Sequence, residues 1–91
     1  MDTPIQASAG TLESNDILVV LTPGKADAPA VSLESIVLKQ FGPAIVATIK
    51  ESLAEHGLSR VDVTAQDKGA LDCTIKARME AAIVRYKELL A

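Results

Sequence analysis

The run Ala30-Val31-Ser32-Leu33-Glu34-Ser35, with the segment that follows it, decides the fold. Val31 and Leu33 alternate with Ser32 and Glu34, the two-residue period of a half-buried strand. Then the period changes. Phe41, Ile45, Ile49 and Leu53 recur at four-residue steps and mark one face of a helix. Pro43 lacks an N–H, which is harmless only in a first turn, so the helix is expected to begin between residues 38 and 41. His56 falls in its last turn, and Gly57 offers a left-handed cap.

Downstream, Arg60–Gln66 alternates Val61 and Val63 with Asp62 and Thr64, which predicts a further strand. After the turn Asp67-Lys68-Gly69, one stripe of Leu71, Ile75, Met79, Ile83, Tyr86 and Leu90 predicts a second helix reaching almost to Ala91. Upstream, the apolar run Ile17–Leu21 reads as a strand closed by Thr22-Pro23-Gly24. The loop through Pro29 suits a loose hairpin into Ala30–Ser35. Residues 1–10, small and polar with Pro4, are expected to be a mobile lead, leaving 11–91 as one domain. The order is ββαβα. The expected fold is α+β, a two-layer sandwich in which a three-stranded mixed sheet carries both helices on one face.

Composition narrows the function. A chain of 91 residues buries only about 60–65% of the surface its unfolded form exposes, so no deep catalytic cleft is expected. Phe41 and Tyr86 are its only aromatic side chains, so the core must be aliphatic. Nine basic and twelve acidic residues leave a net charge of −3, which argues against nucleic acid as a partner. A single cysteine, Cys73, cannot form an internal disulfide and fits a reducing, cytoplasmic setting. Met1-Asp2-Thr3-Pro4 does not read as a signal peptide, and no stretch approaches the roughly 20 apolar residues of a membrane span.

Gly10-Thr11-Leu12-Glu13-Ser14-Asn15-Asp16 is an irregular, solvated lead-in to the first strand. On residue type alone Ser14 is an ordinary loop serine. The topology adds something. A hairpin followed by a parallel βαβ crossover sets the start of the first strand beside the starts of both helices. Those ends present free N–H groups and partial positive charge, and Lys39 and Lys68 fall in or beside them. Glu13 and Asp16 act the other way, either repelling an anion from the rim or standing as plain solvated charges. Leu18 and Val20 face away from the helices, as a docking patch or as scattered surface apolars.

Three blocks carry a family resemblance. Ala9-Gly10-Thr11-Leu12-Glu13-Ser14 with Asp16 is similar to the N-terminal signature of the citrate lyase acyl carrier proteins, the gamma subunits, with Asn15 where a small residue is usual. Leu33-Glu34-Ser35-Ile36-Val37, with Lys39-Gln40-Phe41-Gly42 and Ala44-Ile45, resembles their central block. Asp67-Lys68-Gly69-Ala70-Leu71-Asp72-Cys73, with Ala77-Arg78 and Glu80-Ala81-Ala82, resembles their C-terminal block and favours citrate lyase over the related malonate decarboxylase carrier.

The resemblance implies a carrier, not a catalyst. Ser14 would be the covalent anchor of a 2'-(5''-phosphoribosyl)-3'-dephospho-CoA arm, attached by a separate holo-carrier synthase, with Lys39 and Lys68 as further candidate contacts. The arm would take acetyl and citryl thioesters between the alpha subunit, which exchanges acetyl for citrate, and the beta subunit, which releases oxaloacetate. The alternative is a small adaptor domain without a prosthetic group.

The remaining side chains offer no competing chemistry. His56 has no partners at metal-ligand spacing and is expected to meet the dipole at its helix end. Cys73, in the first turn of the second helix, is expected to be a small buried side chain without a base partner. A Ser14–His56–Asp67 triad is denied by topology, since His56 lies at the far end of its helix. No phosphate-binding glycine loop is present. No catalytic residue and no metal ligand is expected.

Overall fold

A computed structural model describes residues 5–91. The elements run β1 (Ala7–Ala9), β2 (Ile17–Pro23), β3 (Ala30–Ser35), α1 (Leu38–Glu55), β4 (Val61–Asp67) and α2 (Asp72–Leu90). The architecture is α+β, with both helices on one face of a mixed sheet. The sheet has four strands, not the three expected, in the order β1-β2-β4-β3.

The added strand falls in the segment expected to be a mobile lead. Residues 1–4 of that lead lie outside the described residues. Ala7–Ala9 pairs antiparallel with β2, Ala7 opposite Leu21 and Ala9 opposite Val19. Its two alanines are buried because their small side chains let α2 approach the sheet closely, and Arg85 Nη1 donates to the edge carbonyl of Ser8 at 2.7 Å.

The strand order also corrects the expected hairpin. β2 and β3 are not neighbours, because β4 lies between them, antiparallel to β2 and parallel to β3. Two strand spacings are about 10 Å, which the loop between Pro23 and Ala30 can span. Burial explains the choice. Val61, Val63 and Ala65 of β4 are as fully enclosed as Ile17, Val19 and Leu21 of β2, whereas Val31 and Leu33 of β3 are only partly covered. The more apolar strands take the centre, and the Ser- and Glu-bearing strand takes an edge.

The aliphatic core closes with Ile45, Ile49 and Leu53 from α1 and Ile75, Met79, Ile83 and Tyr86 from α2. α1 begins at the early end of the expected range, so Pro43 lies in its second turn, where Lys39 loses its helical donor. Gly57, at φ +69°, follows the helix as expected. Three members of the expected helix stripes leave the core: Phe41 is 49% exposed, Leu71 69% and Leu90 52%. Phe41 and Leu71 border the gap between the two helix starts, and Leu90 is the last residue of α2.

Candidate functional site

β2 starts, and β3 and β4 end, at one edge of the sheet, where Ile17 and Ser35 both pair with Asp67. Both helices begin there, neither with a side-chain cap on its first N–H groups. The Gly10–Asp16 loop crosses this edge. The expected placement of Ser14 therefore holds although the pairing behind it differed, because β2 and β3 run antiparallel with or without β4 between them.

The loop is built to hold its shape. Gly10 turns the chain out of β1 at φ +96°, where a Cβ would sit 1.8 Å from the carbonyl oxygen of Ile17. Asn15 adopts φ +65°, a left-handed conformation its short amide tolerates. The Asn15 N–H donates to the Lys68 carbonyl at 2.8 Å, and the Lys68 N–H donates to the Asp16 carbonyl at 2.9 Å. These bonds carry the β2–β4 ladder one step past the sheet.

Asp16 is the hub. Its carboxylate accepts from Thr11 Oγ1 at 2.7 Å, from the Ile17 N–H at 2.7 Å, and from Arg78 Nε and Nη2 at 3.0 and 2.8 Å. The Arg78 guanidinium, then the Thr11 hydroxyl and the Ile17 N–H, hold this carboxyl well below the usual carboxylate range. Asp16 is accordingly not the solvated, anion-repelling loop charge it was expected to be: its side chain is only 12% exposed and paired with a cation. Glu13 alone keeps that description.

A second buried carboxylate organises the helix starts. Asp67, 2% exposed, accepts from Ser35 Oγ at 2.8 Å and from the Ala70 N–H at 2.9 Å. Ser35 Oγ in turn accepts from the Val37 N–H at 3.1 Å, just ahead of α1.

Above this framework Ser14 is exposed, and among the described residues its hydroxyl makes no hydrogen bond. Lys68 is brought to the loop by its backbone, leaving its side chain exposed. Lys39 is exposed in the first turn of α1, with no hydrogen bond to the Ser14 loop among the described residues. His56 caps the far end of α1 and its carbonyl accepts from Lys87 Nζ at 2.7 Å, remote from Ser14. Cys73 is exposed, contrary to the expectation of burial, because it stands two residues before buried Ile75 and so on the outer face of α2. Leu18 and Val20 are half-buried on the open sheet face, opposite Gln66 and Thr64, with Ser8 on the other side of Val20.

Sequence reading missed the roles of Asp67 and Arg78. The signal for Asp67 was its place between an alternating strand and a Lys-Gly turn. The signal for Arg78 was a lone cation near the buried stripe of α2.

Comparison with known proteins places the chain. The family model of the malonate decarboxylase delta subunit (MdcD) matches residues 5–86. The fold is shared with a chain in the crystal structure of a Pseudomonas malonate decarboxylase hetero-tetramer in complex with malonate, at a TM-score of 0.75 and 18% identity, covering 96% of this chain and 88% of that one. Family and fold thus define the class, that of the acyl carrier proteins.

Among curated relatives, the citrate lyase acyl carrier protein of Lacticaseibacillus casei is 51% identical over 88 residues, 97% of this chain and 86% of the relative. That of Albidiferax ferrireducens is 48% identical over 80 residues, 88% and 82% of the two chains. That of Klebsiella pneumoniae is 42% identical over 85 residues, 93% and 88%. The chain belongs to the citrate lyase acyl carrier protein family.

Proposed function

We propose that Ser14 is the attachment point of a phosphoribosyl-dephospho-CoA arm, and that the chain serves as the gamma subunit of a citrate lyase-type complex. One observation carries the reading: an exposed serine whose hydroxyl makes no hydrogen bond among the described residues, on a loop fixed from beneath by Asp16, Arg78 and the Lys68 backbone. A residue that must be reached by a synthase and then hold a long arm needs access together with a firm base. The site fits a phosphodiester on two further counts. Asp16 is neutralised by Arg78, so the nearest buried carboxylate does not repel the phosphate. The uncapped start of α1, which has no acidic residue in its first turn, offers N–H groups on the same edge, and Lys68 and Lys39 offer positive charge.

When bound, the arm would supply a terminal thiol that carries acetyl and citryl groups as thioesters between alpha and beta subunits. The carrier's own part is to anchor it, so that a tethered group visits both sites at high effective concentration. The carrier domain is read as one unit that takes in β1 and runs from there through α2, and the setting as cytoplasmic.

Intact mass with peptide mapping tests the reading, on chain expressed with its holo-carrier synthase and the enzyme that makes the arm precursor. An adduct of the dephospho-CoA type within the Gly10–Lys25 peptide, absent from Ser14→Ala, is expected. An unmodified chain, with those enzymes active on a control carrier, would overturn it.

A further inference from the structure

The exposed apolar side chains of this protein are concentrated. Eight large hydrophobic residues are exposed among those described, and Leu12, Ile36, Leu38, Phe41 and Leu71 belong to the three segments that meet at the Ser14 edge. Between the first turns of α1 and α2 lies a groove of about 380 Å³. Val37, Phe41, Ile45, Leu71 and Ile75 give it an apolar lining, and Asp67 and Asp72 also border it. Gly69, in the groove wall, lies against the loop: a Cβ there would sit 3.7 Å from Asn15 Oδ1 and 3.7 Å from Ile36 Cδ1. Asn15 follows Ser14 directly and is bonded to Lys68. The groove thus opens within a residue or two of the proposed anchor.

We propose that this groove binds the adenine base of the arm carried on Ser14, an inference that rests on the attachment proposed above. The lining selects the base over the other parts of the arm. A purine is flat, uncharged and apolar on its faces, and the half-exposed Phe41 ring, with Leu71 across the groove, offers it a surface to stack on. The edge of adenine carries an amine donor. Asp72 is an acceptor at the groove border, where Oδ1 accepts from Thr48 Oγ1 and Oδ2 lies 3.4 Å from Lys76 Nζ, leaving lone pairs on both oxygens. The same carboxylate, with Asp67, disfavours the phosphates and any anionic acyl group.

The order of units along the arm agrees. The adenosine comes directly after the ribosyl phosphate on the serine, so the base is the first apolar unit within reach. The pantetheine and its thiol lie beyond it and stay free. Docking the base fixes the near half of the arm and confines the sweep of the far half.

The test begins with chain loaded by its synthase, with the adduct on Ser14 verified by intact mass. Isotope-edited NMR on this chain should give nuclear Overhauser contacts from the adenine H2 and H8 protons to the Phe41 ring and the Leu71 methyls. Amide shifts between unloaded and loaded chain should extend over residues 37–45 and 69–75. Phe41→Ser and Leu71→Ser, both at exposed positions, should still fold and accept the arm but lose those contacts. Shifts confined to residues 12–16, with no contact from adenine to either helix, would overturn the docking and leave the attachment standing. Failure to form the adduct at all would overturn the attachment, and the docking with it.

Discussion

Asp16 and Arg78, 62 residues apart in sequence, meet in a two-pronged pair, Nε on Oδ1 at 3.0 Å and Nη2 on Oδ2 at 2.8 Å. Asp16 closes the loop that carries Ser14, and Arg78 belongs to the second turn of α2. The pair therefore ties the Ser14 loop to the helix that packs on β1 and β2. A planar fork meeting a carboxylate fixes orientation as well as distance, which a single ammonium cannot do.

Replacing Arg78 should loosen the loop without dissolving the fold, since its side chain is 40% exposed and lies outside the core cluster. In Arg78→Ala, amide exchange at Glu13–Asp16 should accelerate roughly tenfold or more relative to the sheet, with Arg78→Lys in between. Loading of Ser14 by the synthase should slow in the same order. Hydrogen exchange followed by mass spectrometry reads the first effect, and unchanged exchange in Arg78→Ala would show that the loop does not depend on the pair.

The same pair sets an acid limit. Asp16 is held well below the usual carboxylate range in the folded chain, whereas in the unfolded chain it titrates near its ordinary value of 3.8. Between those two values the unfolded state binds more protons, so stability rises with pH there. The contribution is complete above the unfolded value and drains away as pH falls through the folded one. Asp72, lowered chiefly by the Thr48 hydroxyl, adds a slope of the same sign. Urea unfolding from about pH 6 to pH 2.5 should show wild type losing stability steeply below about pH 4. Asp16→Asn, less stable at neutral pH, should show a shallower loss that reflects Asp72.

Two glycines with positive φ should respond differently to alanine. At Gly10 the added Cβ meets the Ile17 carbonyl oxygen at 1.8 Å, and neither the β1 turn nor the start of β2 can shift without breaking ladder bonds. Gly10→Ala should cost at least about 2 kcal/mol and release β1 from the sheet. At Gly57 nothing lies within 4 Å, so Gly57→Ala should cost only the left-handed penalty, about 1 kcal/mol. Denaturant midpoints at constant m-value measure both.

Periodicity made most of this fold legible. Alternation over 30–35 and 60–66, and four-residue steps through Ile45, Ile49 and Leu53, follow directly from which face is buried. β1 was hidden because Ala7-Ser8-Ala9 carries almost no hydrophobic contrast; its burial comes from the approach of α2. The strand order was hidden because the loop after Pro23 can serve a neighbour or skip one strand, and only the competition for central burial decides. A helical stripe shows which face turns inward but not how far along the helix that face stays covered, so Phe41 and Leu71 were read as core. Of the site, the position of Ser14 was legible from strand directions alone. The partner of Asp16 was not, since no local pattern joins residues 62 apart.

Cys73 gives the last measurement. It is the only cysteine in the chain, exposed and free in the first turn of α2. Substitution by serine should change stability by less than about 0.5 kcal/mol, as at other surface positions. The native thiol should react fully with a disulfide reagent such as dithionitrobenzoate without denaturant. That makes thiol counting a direct assay of loading. Unloaded chain, and Ser14→Ala in any state, should titrate one equivalent, all of it lost in Cys73→Ser. Chain bearing the arm with its thiol unacylated should titrate a second equivalent that survives Cys73→Ser. A loaded Cys73→Ser chain with no reactive thiol, and none released by hydroxylamine treatment of a thioester, would mean that the group on Ser14 does not end in one.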